Sequence, residues 1–289
     1  MNDPTAPGPA VRPVIPAMHM VFVVGSLLVF AAGFQLYVLT DHTERFFAWT
    51  IGVPFTAAFL GAFYWTALTL ASSSAREGEW VRVRVGVPGV ALFVALTLIA
   101  SLVHIESFHL NEGSFVGRAA AWVWFGVYVI APVGALGALA AQLRTPGVDP
   151  ARGSTLPAWY RGVLAVHAAI VLVAGGALML APGSTAKVWP WSLTPLTARA
   201  MAAWLLGLGV VLTQAVIENA WERIRLATAS YAVLGVLQLL AVARYASTLD
   251  WHSVSAWLYV AFLMTVVAVG AAGWAGSRGS NPESVARTS

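Results

Sequence analysis

The chain of 289 residues has no cysteine. Disulfides, thiolate-held zinc, cysteine-ligated iron–sulfur clusters and covalent c-type haem are thereby excluded. Charge is almost as scarce: Asp, Glu, Lys and Arg make up 10% of the residues, against about 25% in an ordinary soluble domain. No Asp or Glu falls inside any of the long apolar runs described below. Ion-coupled pumps and antiporters place a carboxylate near the midplane, so this absence speaks against that class. The one lysine, Lys187, lies between apolar runs, which argues against a retinal-type Schiff base. No nucleophile arrangement, Walker loop or dinucleotide fingerprint is legible. "GSTAK" at 183–187 lacks the first Gly and the flanking strand of a phosphate loop. Enzymatic activity is left open, with the balance against it.

What the chain does have is apolar length. Hydrophobic residues make up 59% of it, in runs at about Val21–Leu39, Phe46–Leu70, Val85–Val103, Ala119–Ala141, Gly162–Ala181, Ala200–Ile217, Leu226–Ala243 and Val254–Ala275. Each approaches the roughly 20 residues that cross about 30 Å of hydrocarbon as a helix, and strand-like alternation is absent. The expectation is an all-α integral membrane protein with eight transmembrane helices. Cytoplasmic loops hold the excess of Arg and Lys. With both termini inside, the inner segments carry Arg12, Arg76, Arg82, Arg84, Arg144, Arg152, Arg161, Arg223, Arg225, Arg278 and Arg287. The outer ones carry Arg45, Arg118, Lys187, Arg199 and Arg244. The reading is N-in/C-in, in a plasma (inner) membrane, multi-pass. The net charge of +4 then follows from topology, and no nucleic-acid partner is implied. All of the Trp residues but Trp65 and Trp204 stand near the ends of these runs, where amphipathic rings favour the headgroup layer.

One polar connector is written twice. "EGEWVRVR" at 77–84 returns as "ENAWERIR" at 218–225. The match extends outward: "AGFQL" (32–36) over "AGGAL" (174–178), "WTIGVPFTA" (49–57) over "WSLTPLTA" (191–198), and "AWVW" (121–124) over "AWLY" (256–259). Two four-helix units follow, and an even number of spans makes the repeat parallel, with a pseudo-twofold along the membrane normal. The division expected is a disordered cytoplasmic N-terminal tail (1–18), repeat 1 (19–145), a cytoplasmic linker (146–157), repeat 2 (158–276) and a disordered C-terminal tail (277–289). The Pro-rich opening lacks a convincing small-residue cleavage site and reads as a retained tail. Two accounts of the repeated connector are open. In one it sets topology and anchors the interface. In the other Arg82, Arg84, Arg223 and Arg225 form a patch for lipid phosphate or another anion.

The outer side gathers the polar chemistry. His42, His104, Glu106, His109 and His252 share that layer, and imidazole with carboxylate suits a transition metal, although the spacing matches no specific motif. The first unit is outwardly acidic and the second basic, through Lys187, Arg199 and Arg244. An outward-facing cleft between the repeats would then have His104, Glu106, His109, Arg199 and Arg244 orienting a ligand's polar end, with Trp189 and Trp191 as cover. His167 is the one histidine at depth, either a cross-helix hydrogen bonder or an axial ligand to haem b. Three functions remain open. They are binding or transport of a small molecule or lipid through that cleft, a metal- or haem-binding protein (an oxidoreductase by extension), and an accessory subunit of a larger membrane complex. A homo-oligomer is compatible with each.

Overall fold

A computed structural model describes residues 10–279, and every regular element among them is helical. Eight helices of 17 residues or more carry the architecture: α1 (Pro16–Tyr37), α2 (Pro54–Ser74), α3 (Val87–Val103), α4 (Phe115–Arg144), α5 (Ala158–Leu180), α6 (Pro195–Glu218), α7 (Trp221–Arg244) and α8 (Val254–Gly279). The starts are set by residues that tolerate a missing N–H. Proline opens α1, α2 and α6, its fixed φ suiting the first turn. Thr194 and Thr197 form a reciprocal capping box at the head of α6, and the Ser114 hydroxyl accepts from Gly117 N at 2.9 Å at the head of α4. Asn219 ends α6 in the left-handed region (φ 48°), so α7 begins only two residues later.

Seven of these helices are long and apolar enough to cross a membrane, and the chain is consistent with a helical, multi-pass membrane protein. The eighth, α3, is shorter than the run expected at 85–103. Pro88 in its first turn fixes the start, and the residues before it form a separate turn, Trp80–Val83. Its 17 residues rise about 25 Å, at the lower limit for a span.

The packing order is specific. Helix α1 lies on α2, α4 on α3, α5 on α6 and α8 on α7, while α2 meets α7 and α3 meets α6. Helices α2, α3, α6 and α7 therefore form the centre. Apolar side chains of the peripheral helices, such as Leu27, Ile130, Val173 and Leu258, remain exposed. Such faces are costly in water and neutral in hydrocarbon.

The segments leading into α1 and α5 are pinned. Arg12 O accepts from Trp80 N at 3.1 Å, and Ser154 O accepts from Trp221 N at 3.1 Å. Gln142 ties α4 to the first segment, its Oε1 accepting from Ile15 N at 3.0 Å and its Nε2 donating to Pro13 O at 2.8 Å. Of the tails expected to be disordered, 1–9 and 280–289 lie outside the described residues. Residues 10–15 are hydrogen-bonded to 78, 80, 142 and 148.

Candidate functional site

At the end of the bundle that carries the arginine motifs, the two copies grip each other. Arg84 Nε donates to Glu218 Oε1 at 2.5 Å, and Arg225 NH2 donates to Glu77 Oε1 at 2.5 Å. Each carboxylate also takes an arginine from its own segment: Arg223 to Glu218 at 2.9 Å and Arg82 to Glu77 at 3.9 Å. Asp149 of the linker adds a further ion pair to Arg84, and Pro150 O accepts from Arg223 NH2 at 2.7 Å. The hydrogen bond from Glu218, outweighing partial burial, raises the Arg84 pKa above its ordinary value. All four arginines of the expected anion patch are thus engaged by carboxylates of the chain itself, Arg82 also by Glu79 at 2.9 Å. Sequence reasoning did not pair the two crossing contacts, because the partner lies 134 or 148 residues away.

Between the central helices runs a seam. Its half nearer the arginines holds a cavity of about 70 Å³ with almost wholly apolar walls. Fourteen of its nineteen lining residues stand in seven pairs 141 positions apart, among them Phe63 with Trp204, Thr66 with Gly207, and Gly89 with Ser230. The pairs pack differently. Gly89 and Gly207 bring α3 and α6 into backbone contact, since a Cβ on either would strike the other's carbonyl oxygen, whereas hydroxyls stand at the corresponding places on α7 and α2. The Ser230 hydroxyl is buried without a partner. Beside it, Tyr231 and His167 Nδ1 are 2.8 Å apart, so the deep histidine meets a tyrosine of another helix.

Further toward the opposite end, the stacked rings of Phe93 and Trp204 (centroids 3.6 Å apart) separate this cavity from a second, smaller void of about 10 Å³. Tyr64 lines it and shares a 2.8 Å hydrogen bond with Tyr128.

The residues expected to form an outer cleft are only partly brought together. His104 Nε2 accepts from Arg199 NH1 at 2.6 Å, joining the end of α3 to the first turn of α6. Burial depresses the His104 pKa, the Arg199 charge lowers it further, and Glu106 offsets part of this. Arg199 also caps α5 through Met179 O at 3.3 Å, as Arg244 caps α1 through Tyr37 O at 3.0 Å. Arginine at the last carbonyls suits the helix dipole. His109 staples a loop, with Nδ1 at 3.0 Å from Phe47 O and Nε2 at 3.0 Å from Thr50 Oγ1. Trp191 is buried in the seam, donating to Thr56 Oγ1 at 2.9 Å and packing on Phe55 and Trp189. Glu106, His42 and His252 stay exposed. Among the described residues no three His, Asp or Glu side chains come together so as to hold a metal ion. The layer that sequence reasoning assigned to these groups is not one place.

No protein-family model, curated protein or solved structure matches this chain.

Proposed function

We propose that this is a membrane protein of eight spanning helices, arranged as two parallel four-helix repeats with both termini in the cytoplasm. In this reading it binds, and carries across the plasma (inner) membrane, a small neutral apolar molecule or a lipid chain held at the seam between the repeats. The observation that carries the reading is the cavity whose walls are supplied in pairs by both units. Such junctions are where helix bundles build ligand sites. A lining without a charged side chain fits a neutral occupant, because an ion would be desolvated there without compensation.

Several further features support the duplication. Ion pairs and backbone bonds each occur twice, with partners 141 or 142 positions apart: Arg84–Glu218 with Arg225–Glu77, and Arg12–Trp80 with Ser154–Trp221. His104 and Tyr245, which end α3 and α7, share φ of −120° and ψ of 31° and 35°. Trp191, expected as a cover, is buried against Phe55, Phe59 and Tyr259, so the reading puts the ligand deeper in the seam and gives His104 and Arg199 the role of a latch across it. The ion pairs at the other end would close the cytoplasmic side.

Native mass spectrometry of the purified chain in mild detergent tests this. A co-purifying adduct of defined mass on the wild type, lost when Ala67→Trp fills the cavity, is the expected result. An identical adduct profile in both, with equal melting temperatures, contradicts it.

A further inference from the structure

The smaller void in the seam is lined by two residues that each keep a buried polar atom without a hydrogen-bond partner. Trp49 Nε1 and Thr97 Oγ1 both line it, both belong to residues no more than 3% exposed, and neither has a partner. An indole N–H can only donate. A threonine within a helix ordinarily donates to the carbonyl four residues back, as Thr66 does to Ala62 O at 2.8 Å, but Thr97 makes no such bond. Tyr64, which also lines the void, is already bonded to Tyr128 at 2.8 Å. Buried donors left unmade cost about 1–3 kcal/mol each, and native proteins rarely keep two beside one void. What the Trp49 indole N–H lacks is an oxygen placed to accept from it. No Asp, Glu, Lys, Arg or His lines the void, so that oxygen belongs to an uncharged group.

The surroundings say what the oxygen is attached to. Phe93 and Trp204 line both the void and the larger apolar cavity, so an oxygen held in the first has apolar rings beside it that also wall the second. We infer that the seam binds a neutral hydrophobic molecule carrying a single carbonyl or hydroxyl oxygen. The oxygen accepts from Trp49 Nε1 and Thr97 Oγ1, and the hydrocarbon body lies toward Phe93, Trp204 and the paired walls beyond. This rests on the proposed function and narrows it from an apolar molecule to one with a lone acceptor. An ordered water offers the same oxygen chemistry, since a void of this size admits about one water with two or more polar partners. Experiment has to separate the two sources.

The probes are 2-dodecanone and dodecane, alike in length and differing in one carbonyl, titrated against the full chain in nanodiscs while its tryptophan fluorescence is followed. The wild type is expected to bind the ketone about tenfold more tightly than the alkane, the effect of one or two buried hydrogen bonds. Thr97→Val, which keeps the side-chain shape, and independently Trp49→Phe should each reduce the ketone-over-alkane preference several-fold. Equal binding of ketone and alkane to the wild type overturns the inference, as does a preference untouched in both variants, which assigns the void to water. In either case the apolar seam site stands. If neither probe binds and no adduct is found on the purified chain, it is the proposed function that fails.

Discussion

Glu77 and Glu218, 141 positions apart in the chain, each hold an arginine that the other's segment supplies. An interface in which residue i meets j and the equivalent of j meets the equivalent of i is the signature of a twofold relation between identical partners. The same reciprocity within one chain is what the proposed duplication requires. The two sides differ in burial: the Glu218 side chain is 9% exposed and its partner Arg223 6%, while Arg82 and Arg225, which face Glu77, are 41% exposed.

That difference predicts unequal consequences. Glu218→Gln leaves the buried Arg223 without a counter-charge and Arg84 with Asp149 alone, and should lower unfolding stability by about 3 kcal/mol. Glu77→Gln should cost about 1 kcal/mol or less, because its arginines keep water. Denaturant titrations of the two variants in one detergent check this. A double exchange, Arg84→Glu with Glu218→Arg, should recover less than half of the loss, since Arg223 then faces a cation.

The contact between α3 and α6 is a second test. A methyl group at Gly89 would meet the carbonyl oxygen of Gly207, so Gly89→Ala should push the helices apart at a cost of about 1–3 kcal/mol. Gly134→Ala in α4, where nothing lies within 4 Å of the added carbon, should be neutral or slightly stabilising through helix propensity. Thermal unfolding of the pair separates packing from propensity.

Protonation of His104 gives a pH dependence of known sign. Burial and the Arg199 charge hold its native pKa below the ordinary histidine value of 6.5, so the unfolded chain binds the proton first. The contribution to stability is fully present above about pH 6.5 and is lost as pH falls through the lowered native value, where imidazolium would also oppose Arg199. His104→Gln should flatten the slope of unfolding free energy between pH 6.5 and 4.5 without changing it at pH 8. Urea titrations across that range measure it.

Much of this fold is legible in the sequence. Each of the eight apolar runs forms a helix, because hydrocarbon demands internally satisfied backbone and Pro16, Pro54 and Pro195 mark three of the starts. Helix α3 starts at Val87, two residues inside the apolar run at 85–103, because Pro88 in its first turn sets the start. The doubled connector could be read as a duplication, yet not as a clasp: which carboxylate Arg84 meets is decided by how α2 and α6 end beside each other. The histidines show the limit most plainly. Topology puts His42, His104, His109 and His252 in one layer, but the caps and loops that follow fix where each sits, and His109 is consumed by Phe47 and Thr50. Thr97, Tyr64 and Tyr128 are conspicuous as polar residues within apolar runs, whereas Trp49 looks like one more interfacial tryptophan until its N–H is found buried.

The central claim is that the two units enter the membrane from the same side. It is tested most directly on the cysteine-free chain, using single cysteines at Glu106 and Ser247, two exposed positions in the corresponding turns after α3 and α7. With a membrane-impermeant maleimide on intact cells, both positions label from outside, and a cysteine at Arg76 labels only after the cells are opened. Labelling of residues 106 and 247 from opposite faces would contradict the parallel repeat and the shared seam that depends on it.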